Sequence, residues 1–185
     1  GVDRKVLHES TSELENDCFK PKWVFLTKNV YNSKFGGIGD ADIICKKDAE
    51  AAGLSGTYKA WLSDMFPGNS PNSLWLNLEF QGWYRMPTDP PSLFAKGFNG
   101  LSSPGKNPLN VLANGSKNVS LTKAWTATTV LGKKNESFGN CNSWQDMGFG
   151  MDGGIGNPQA IDKTWTDLSG PLCGSIEAGI YCFEK

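Results

Sequence analysis

Apolar positions in the first third of the chain recur with two different periods, and each period predicts one element. Residues 22–27 are rich in β-forming side chains and are followed by Lys-Asn, which predicts a strand. Residues 40–52 carry apolar positions at helical spacing, with Asp40 as the expected N-cap and Gly53 as the stop after the last turn. The expected buried face of this helix consists of Ala41, Ile44, Cys45, Ala49 and Ala52.

Elsewhere the apolar pattern is short and irregular. Residues 1–20 are charged and aperiodic, so we expect them to form a flexible N-terminal extension. Residues 87–120 combine five prolines with many Gly, Asn and Ser residues, which predicts a long irregular region. Short strands are predicted at residues 57–62, 120–130, 141–144 and 179–183, and short strands or loop anchors at residues 74–80 and 82–86. One main helix, several short strands and long loops predict an α+β domain over residues 21–185.

The cysteines add covalent links to this outline. None of the five forms a Cys-x-x-Cys pair, and the chain has a single histidine, so a structural zinc site lacks ligands. Disulfide bonds therefore explain the cysteines better than a zinc site does. Disulfides predict that the protein lies in an oxidising compartment. The odd count leaves one cysteine over, and we expect this to be Cys18, in the polar N-terminal stretch. The other four are Cys45, Cys141, Cys173 and Cys182.

Charge argues against nucleic-acid binding, and hydropathy argues against a membrane-spanning segment. The formal net charge is −1 and there are only two arginines, Arg4 and Arg85, which argues against nucleic-acid binding. No run of 18 apolar residues is present, so no direct membrane span is expected.

Catalytic and metal-binding patterns are weak, and we expect a binding protein rather than an enzyme. The only histidine, His8, lies in the predicted extension, which disfavours a histidine-dependent nucleophile. No motif selects a carboxylate pair for glycoside hydrolysis, so a hydrolase stays a minor alternative without nominated residues. No cofactor is expected, apart from an isolated calcium site as an open alternative. Its candidate ligands are Asp146, Asp152 or Asp162 with backbone carbonyls.

The end of the chain carries the first resemblance. Trp165-Thr166-Asp167, then Cys173, then Cys182 within Gly-Ile-Tyr-Cys-Phe-Glu resembles the closing signature of C-type-lectin-like domains. The resemblance implies disulfides Cys45–Cys182 and Cys141–Cys173. The chain departs from the sugar-binding members, because Thr166 stands in place of their Asn and no Glu-Pro-Asn-type motif is present. The resemblance therefore implies the scaffold without the calcium-dependent sugar site.

A second resemblance covers roughly residues 22–185 and is most specific in the front half. The blocks at residues 23–27, 37–45 and 52–64 look like the leptospiral endostatin-like family, a branch of the C-type-lectin-like/endostatin-like superfamily. Shorter blocks at residues 107–110, 124–126 and 141–144 fit the same family. The resemblance implies a virulence-associated surface protein that is secreted or lies on the extracellular face of the outer membrane, with a possible lipid anchor upstream of residue 1.

The partners that this family implies are host extracellular-matrix and plasma proteins, namely laminin, fibronectin, plasminogen and complement regulators such as factor H. Lys185 is the one candidate partner-binding residue, because lysine-binding pockets of plasminogen recognise a terminal lysine. The alternative function is a carbohydrate-binding C-type-lectin-like module. Its expected stacking platforms are Trp75, Trp83, Tyr84, Phe94 and Phe98.

Overall fold

A computed structural model describes residues 19–105, 107–148 and 150–185 of the chain. Within them the fold is α+β, with one main helix, a mixed sheet and long loops. The predictions for His8 and Cys18, and most of the predicted N-terminal extension, lie outside the described residues.

The sheet has seven short strands in the described part of the chain. Their order is β4-β3-β1-β7-β5-β6, and β2 also pairs with β7. Because β1 runs antiparallel to β7, the beginning of β1 and the end of β7 meet at the same end of the sheet. The strands are β1 Lys22–Leu26, β2 Tyr58–Ala60, β3 Trp83–Met86, β4 Ser92–Lys96, β5 Ala124–Trp125, β6 Ile155–Gly156 and β7 Gly179–Glu184.

The main helix, α1, spans Ile38–Ala51 and begins two residues before the predicted start. Asp40 lies in its first turn instead of capping it, so that prediction was wrong. Gly37 precedes the helix at φ 104° and ψ −177°, a conformation open mainly to glycine, which lets the chain turn into the helix earlier. The predicted stop is confirmed, since Gly53 has φ 73° and Leu54 N–H donates to Ala49 O, as in a Schellman motif.

The two faces of the sheet bury different cores. The helix-side core includes Phe25, Ala41, Cys45, Ala49 and Cys182, and α1 packs over it against β2 and β7. The aromatic core on the opposite face contains Trp61, Tyr84, Phe94, Trp165 and Phe183. Alternation along β7 assigns Cys182 to one core and Phe183 to the other, as expected for a strand covered on both faces.

Two disulfides staple these layers. Cys45 on α1 is bonded to Cys182 on β7 with a Cα–Cα distance of 5.4 Å, and Cys141 is bonded to Cys173 at 5.7 Å. The structure thus contains the two pairs that the resemblance implies. All four cysteines are buried.

One segment predicted as a strand folds otherwise, and another takes the second of its two predicted forms. Cys141–Trp144, predicted to be strand-like, is a helical turn with positive φ at all four residues, from 50° at Cys141 to 62° at Trp144. Residues 74–80, predicted as a short strand or loop anchors, complete a short helix and then run as a loop whose Leu76 and Phe80 are buried in the aromatic core, so the loop-anchor alternative is confirmed. The remaining short helices are α2 Pro71–Leu74, α3 Gly97–Gly100, and the 3₁₀ turns Lys163–Trp165 and Cys173–Ser175.

Candidate binding surfaces

An open cleft of about 430 Å³ lies where β1 begins and β7 ends. The antiparallel pairing of these strands brings Lys22 and Lys185 to the same end of the sheet. Lys185 is exposed, and its backbone N–H donates to Thr57 O at 2.8 Å. We call this site the terminal cleft, and its lining residues are Lys20, Pro21, Lys22, Thr57, Trp75, Asn77, Glu184 and Lys185.

Trp75 forms a fixed aromatic wall of the terminal cleft. Its ring centroid lies 6.1 Å from that of Trp61 and 6.0 Å from that of Phe183, so the aromatic core holds the indole from behind. The side chain is only half-buried, and its remaining surface lines the cleft. A Trp held in this way loses little conformational entropy when a ligand packs against it.

The charges of the cleft are mixed, with ammonium groups in excess. Lys20, Lys22 and Lys185 contribute three cations, and Lys22 Nζ also lies 4.9 Å from the centre of the Phe80 ring. The one side-chain carboxylate is that of Glu184, whose Oε2 accepts the Trp23 N–H at 2.9 Å. An anionic group entering the cleft would therefore meet cations on more than one side.

A second surface is the loop at residues 64–69, which presents two large apolar side chains to solvent. Met65 is 50% exposed and Phe66 is 55% exposed. The loop is tied by the buried Asp64, whose Oδ1 accepts the Phe66 N–H at 2.8 Å and whose Oδ2 accepts from Asn69 Nδ2 at 3.0 Å. A backbone pair, Asp64 N–H to Asn69 O at 3.1 Å, closes it. We call this segment the Met65–Phe66 loop.

The Met65–Phe66 loop borders a groove that ends in a charged pair. The groove is also lined by Pro67, Lys134 and Glu136, and Lys134 Nζ lies 3.0 Å from Glu136 Oε2. An apolar tip beside polar, charged residues is the arrangement found at the centre and rim of protein interfaces. A weak signal for this site is present in the sequence, where two adjacent large apolar residues stand directly before Pro-Gly-Asn, a turn-forming triplet.

The three candidate calcium ligands are separated and serve local turns. Asp146 Oδ1 accepts the Gly148 N–H, and Asp152 Oδ2 accepts the Gly139 N–H. The pKa of Asp162 lies below its ordinary value because the hydroxyl and N–H groups of Thr164 donate to its carboxylate. Over the described ranges, no three His, Cys, Asp or Glu side chains are grouped closely enough to hold a metal ion.

Thr166 and Asp167, which the sequence analysis compared with a lectin motif, form hydrogen bonds within the protein. Thr166 is buried, and its Oγ1 accepts from Trp61 Nε1 at 2.8 Å while donating to Thr128 O at 2.8 Å. Asp167 Oδ1 accepts from Asn135 Nδ2 at 2.7 Å. Both side chains therefore use their polar atoms to hold neighbouring loops together.

The five expected stacking platforms divide between core and surface. Tyr84 and Phe94 are buried in the aromatic core and cannot stack on a ligand. Trp75, Trp83 and Phe98 are half-buried, and Trp75 is the one that lines the terminal cleft.

Among residues 19–105, 107–148 and 150–185, no helix has the length and apolar character needed to cross a membrane. Comparison of the chain with protein-family models gave no match, and comparison with curated proteins gave none either.

Proposed function

We propose that the protein is a bacterial surface adhesin that binds host extracellular-matrix and serum proteins through its loops. In this proposal the chain is a leptospiral endostatin-like protein with the C-type-lectin-like fold, secreted or held on the extracellular face of the outer membrane. It acts by binding and has no catalytic role. Laminin, fibronectin, plasminogen and complement regulators are its proposed partners.

The observation that carries the proposal is the Met65–Phe66 loop. Leaving two large apolar side chains in water is unfavourable, and the hydrogen bonds of Asp64 fix them there instead of letting them collapse onto the core. A preformed apolar tip lowers the entropic cost of binding a partner protein. Such a site suits a protein surface better than a small polar solute.

The disulfides support an extracellular setting. Cross-links such as Cys45–Cys182 persist in oxidising compartments and are uncommon in the reducing cytosol. A core cross-linked by disulfides also tolerates long surface loops. Binding residues of proteins often lie on such loops.

The test is a surface-binding panel with immobilised laminin, fibronectin, plasminogen and factor H, at low and at physiological salt. For at least one partner, M65S/F66S should weaken binding about tenfold or more, because central apolar anchors dominate interface energy. The matched control is Val119→Ser, which removes an apolar side chain that is 69% exposed outside the loop.

Two outcomes would overturn the proposal. One is equal binding by the loop variant and the control. The other is loss of all wild-type binding at physiological salt, which would indicate nonspecific attraction between exposed charges.

A further inference from the structure

Helix α1 covers only part of the face of the sheet on which it lies. Its main contacts are with β2 and β7, so the β3–β4 side of this face extends beyond the helix. Along β3, half-buried side chains on this face alternate with Tyr84 and Met86, which are buried in the aromatic core. We call this area the open sheet face, and its half-buried or exposed residues are Trp23, Trp83, Arg85, Leu93 and Lys96.

Arg85 is held in the middle of the open sheet face by a stacked indole. It pairs with Trp23 of β1 on one side and with Leu93 of β4 on the other. Its guanidinium carbon lies 3.9 Å from the centre of the Trp23 ring. Because this stacking fixes the orientation of the planar guanidinium, little conformational entropy is lost when an anion binds to it.

The positive charges of the open sheet face have no counter-ion within the described part of the chain. There, neither Arg85 nor Lys96 forms a salt bridge, although Glu79 lines the same groove as Lys96. Glu184, which accepts the Trp23 N–H, belongs to β7, on the side of β1 away from β3.

The guanidinium nitrogens of Arg85 also lack acceptors among the described residues. Its Nε is buried without a hydrogen-bond partner, whereas the two terminal nitrogens are not buried. Two parallel N–H donors of a guanidinium match the two oxygens of a carboxylate. The terminal nitrogens are therefore placed to bind a carboxylate from outside.

A second cation lies at a regular distance along the strand. Lys96 is opposite Trp83 in the pairing of β3 with β4, and its Nζ lies 5.9 Å from the centre of the Trp83 ring. Trp83 and Arg85 are two residues apart on one face of β3, so the two cation–ring pairs are spaced by roughly 7 Å. Side chains of residues i and i+2 in an extended peptide have the same spacing.

We propose that the open sheet face binds an extended acidic segment of a partner protein. Two carboxylates separated by one residue bond Arg85 and Lys96, while the two indoles pack against the rest of the segment. Nucleic acid fits less well, because a phosphate backbone needs a row of cations and the chain has a net charge of −1. None of the five residues lines the groove of the Met65–Phe66 loop, so this is a second binding surface that acts without that loop.

Titration calorimetry of the full chain with capped synthetic peptides tests this surface. The alternating acidic peptide is Thr-Glu-Val-Glu-Thr, and the comparison peptides are neutral Thr-Gln-Val-Gln-Thr and Thr-Val-Glu-Glu-Thr, in which the acids are adjacent. We expect the alternating peptide to bind, the neutral one to bind about tenfold or more weakly, and the adjacent one about threefold or more weakly. Absence of binding at millimolar peptide, equal binding of either comparison peptide, or tighter binding of an oligothymidylate would overturn the proposal.

Variants test the named cations. Arg85→Gln should lower affinity for the alternating peptide about tenfold, and Arg85→Lys should also lower it, because an ammonium lacks the planar fork. The matched control is Lys133→Gln, which removes an exposed cation outside the sheet and should bind as the wild type does. Thermal unfolding confirms that each variant is folded. Unchanged affinity in Arg85→Gln would overturn the proposal, and M65S/F66S should bind the peptide as the wild type does.

The chain carries alternating acids of its own at Glu13, Glu15 and Asp17. Replacing them with Gln, Gln and Asn tests whether they compete for the open sheet face. Binding of the alternating peptide by the wild type and by this variant supports a partner protein as the occupant. Binding by the variant alone would assign the face to the chain's own residues and overturn the proposal.

Discussion

Single residues in this fold carry structural roles that their sequence neighbours do not reveal. Thr166 directly follows the buried Trp165. Here its hydroxyl is buried between two partners, Trp61 Nε1 and Thr128 O. Thr126 Oγ1 donates to Thr166 O, so the same residue joins three segments. The hydroxyl of Thr166 thus acts as a support for the core.

Replacing Thr166 with Val should destabilise the protein by about 1–3 kcal/mol. Valine has nearly the same shape but leaves the indole N–H of Trp61 buried without its acceptor, and an unsatisfied buried donor costs about this much. The free energy of unfolding in urea measures the loss.

Thr129→Val is the matched control, because its hydroxyl makes only a surface bond of 3.3 Å to Lys133 O. We expect this variant to lie within about 0.5 kcal/mol of the wild type. Equal stabilities for the two variants would show that the Trp61–Thr166 bond contributes nothing.

At the scale of elements, predictability from sequence follows how local the determining contacts are. Helix α1 was predicted because apolar spacing and Gly53 act within the segment itself. The turn at residues 141–144 was not, because distant partners hold it in positive φ. Trp144 stacks on Phe35 with centroids 5.5 Å apart and donates its indole N–H to Ser63 O, while Cys141 is bonded to Cys173.

The candidate surfaces were also predictable only where local residues determine them. Lys185 and Trp75 were singled out from the sequence, but their convergence on one cleft depends on the pairing of β1 with β7 and on the aromatic core. The Met65–Phe66 loop was missed, because apolar residues in sequence normally indicate core. The hydrogen bonds of Asp64 and of the loop backbone, which the apolar pattern does not encode, hold the loop that carries this pair.

The two disulfides should differ in how readily they are reduced in the native protein. Cys45–Cys182 links α1 to the central strand β7, while Cys141–Cys173 links two short helical turns that lie among the loops. Local opening is easier in loops than in central strands, and all four sulfurs are buried. Under dithiothreitol without denaturant, Cys141 and Cys173 should therefore be alkylated first, as peptide mass spectrometry will show.

Replacing each pair of cysteines with alanines compares the contributions of the two disulfides to stability. The loops closed by the two disulfides span 137 and 32 residues, for which the chain-entropy relation gives about 5 and about 4 kcal/mol of stabilisation. Both double alanine variants should thus be strongly destabilised in urea. Simultaneous alkylation of all four cysteines would contradict the expected order and indicate that reduction requires global unfolding.

At the scale of the whole molecule, the four tyrosines are distributed over both cores and all share one electrostatic property. The pKa of each lies above its ordinary value of about 10, because burial disfavours the phenolate. Negative charge adds to this at two sites, Asp48 beside Tyr31 and Glu184 beside Tyr58. Tyr181 is fully buried and donates its hydroxyl hydrogen to Trp165 O at 2.7 Å.

These raised pKa values predict that the fold loses stability in alkaline solution. Above about pH 10 the unfolded chain releases its tyrosyl protons while the native protein retains them, so the unfolded state binds fewer protons. The stabilisation is fully present below about pH 10 and is lost as the pH rises toward the pKa values of the folded protein. Urea midpoints between about pH 8 and about pH 11 should therefore fall, and tyrosinate absorbance should appear in the native protein only at higher pH than in urea.

Lysine deprotonation contributes in the same pH range, so the tyrosine effect needs its own comparison. Tyr58→Phe removes one titrating phenol beside Glu184 and leaves every lysine in place, and its urea midpoint should fall less steeply with pH than that of the wild type. Identical slopes for the two proteins would show that Tyr58 does not link folding to pH. A native tyrosinate titration centred near pH 10 would contradict the burial of Tyr58, Tyr84 and Tyr181, and with it the assignment of two closed cores to the two faces of the sheet.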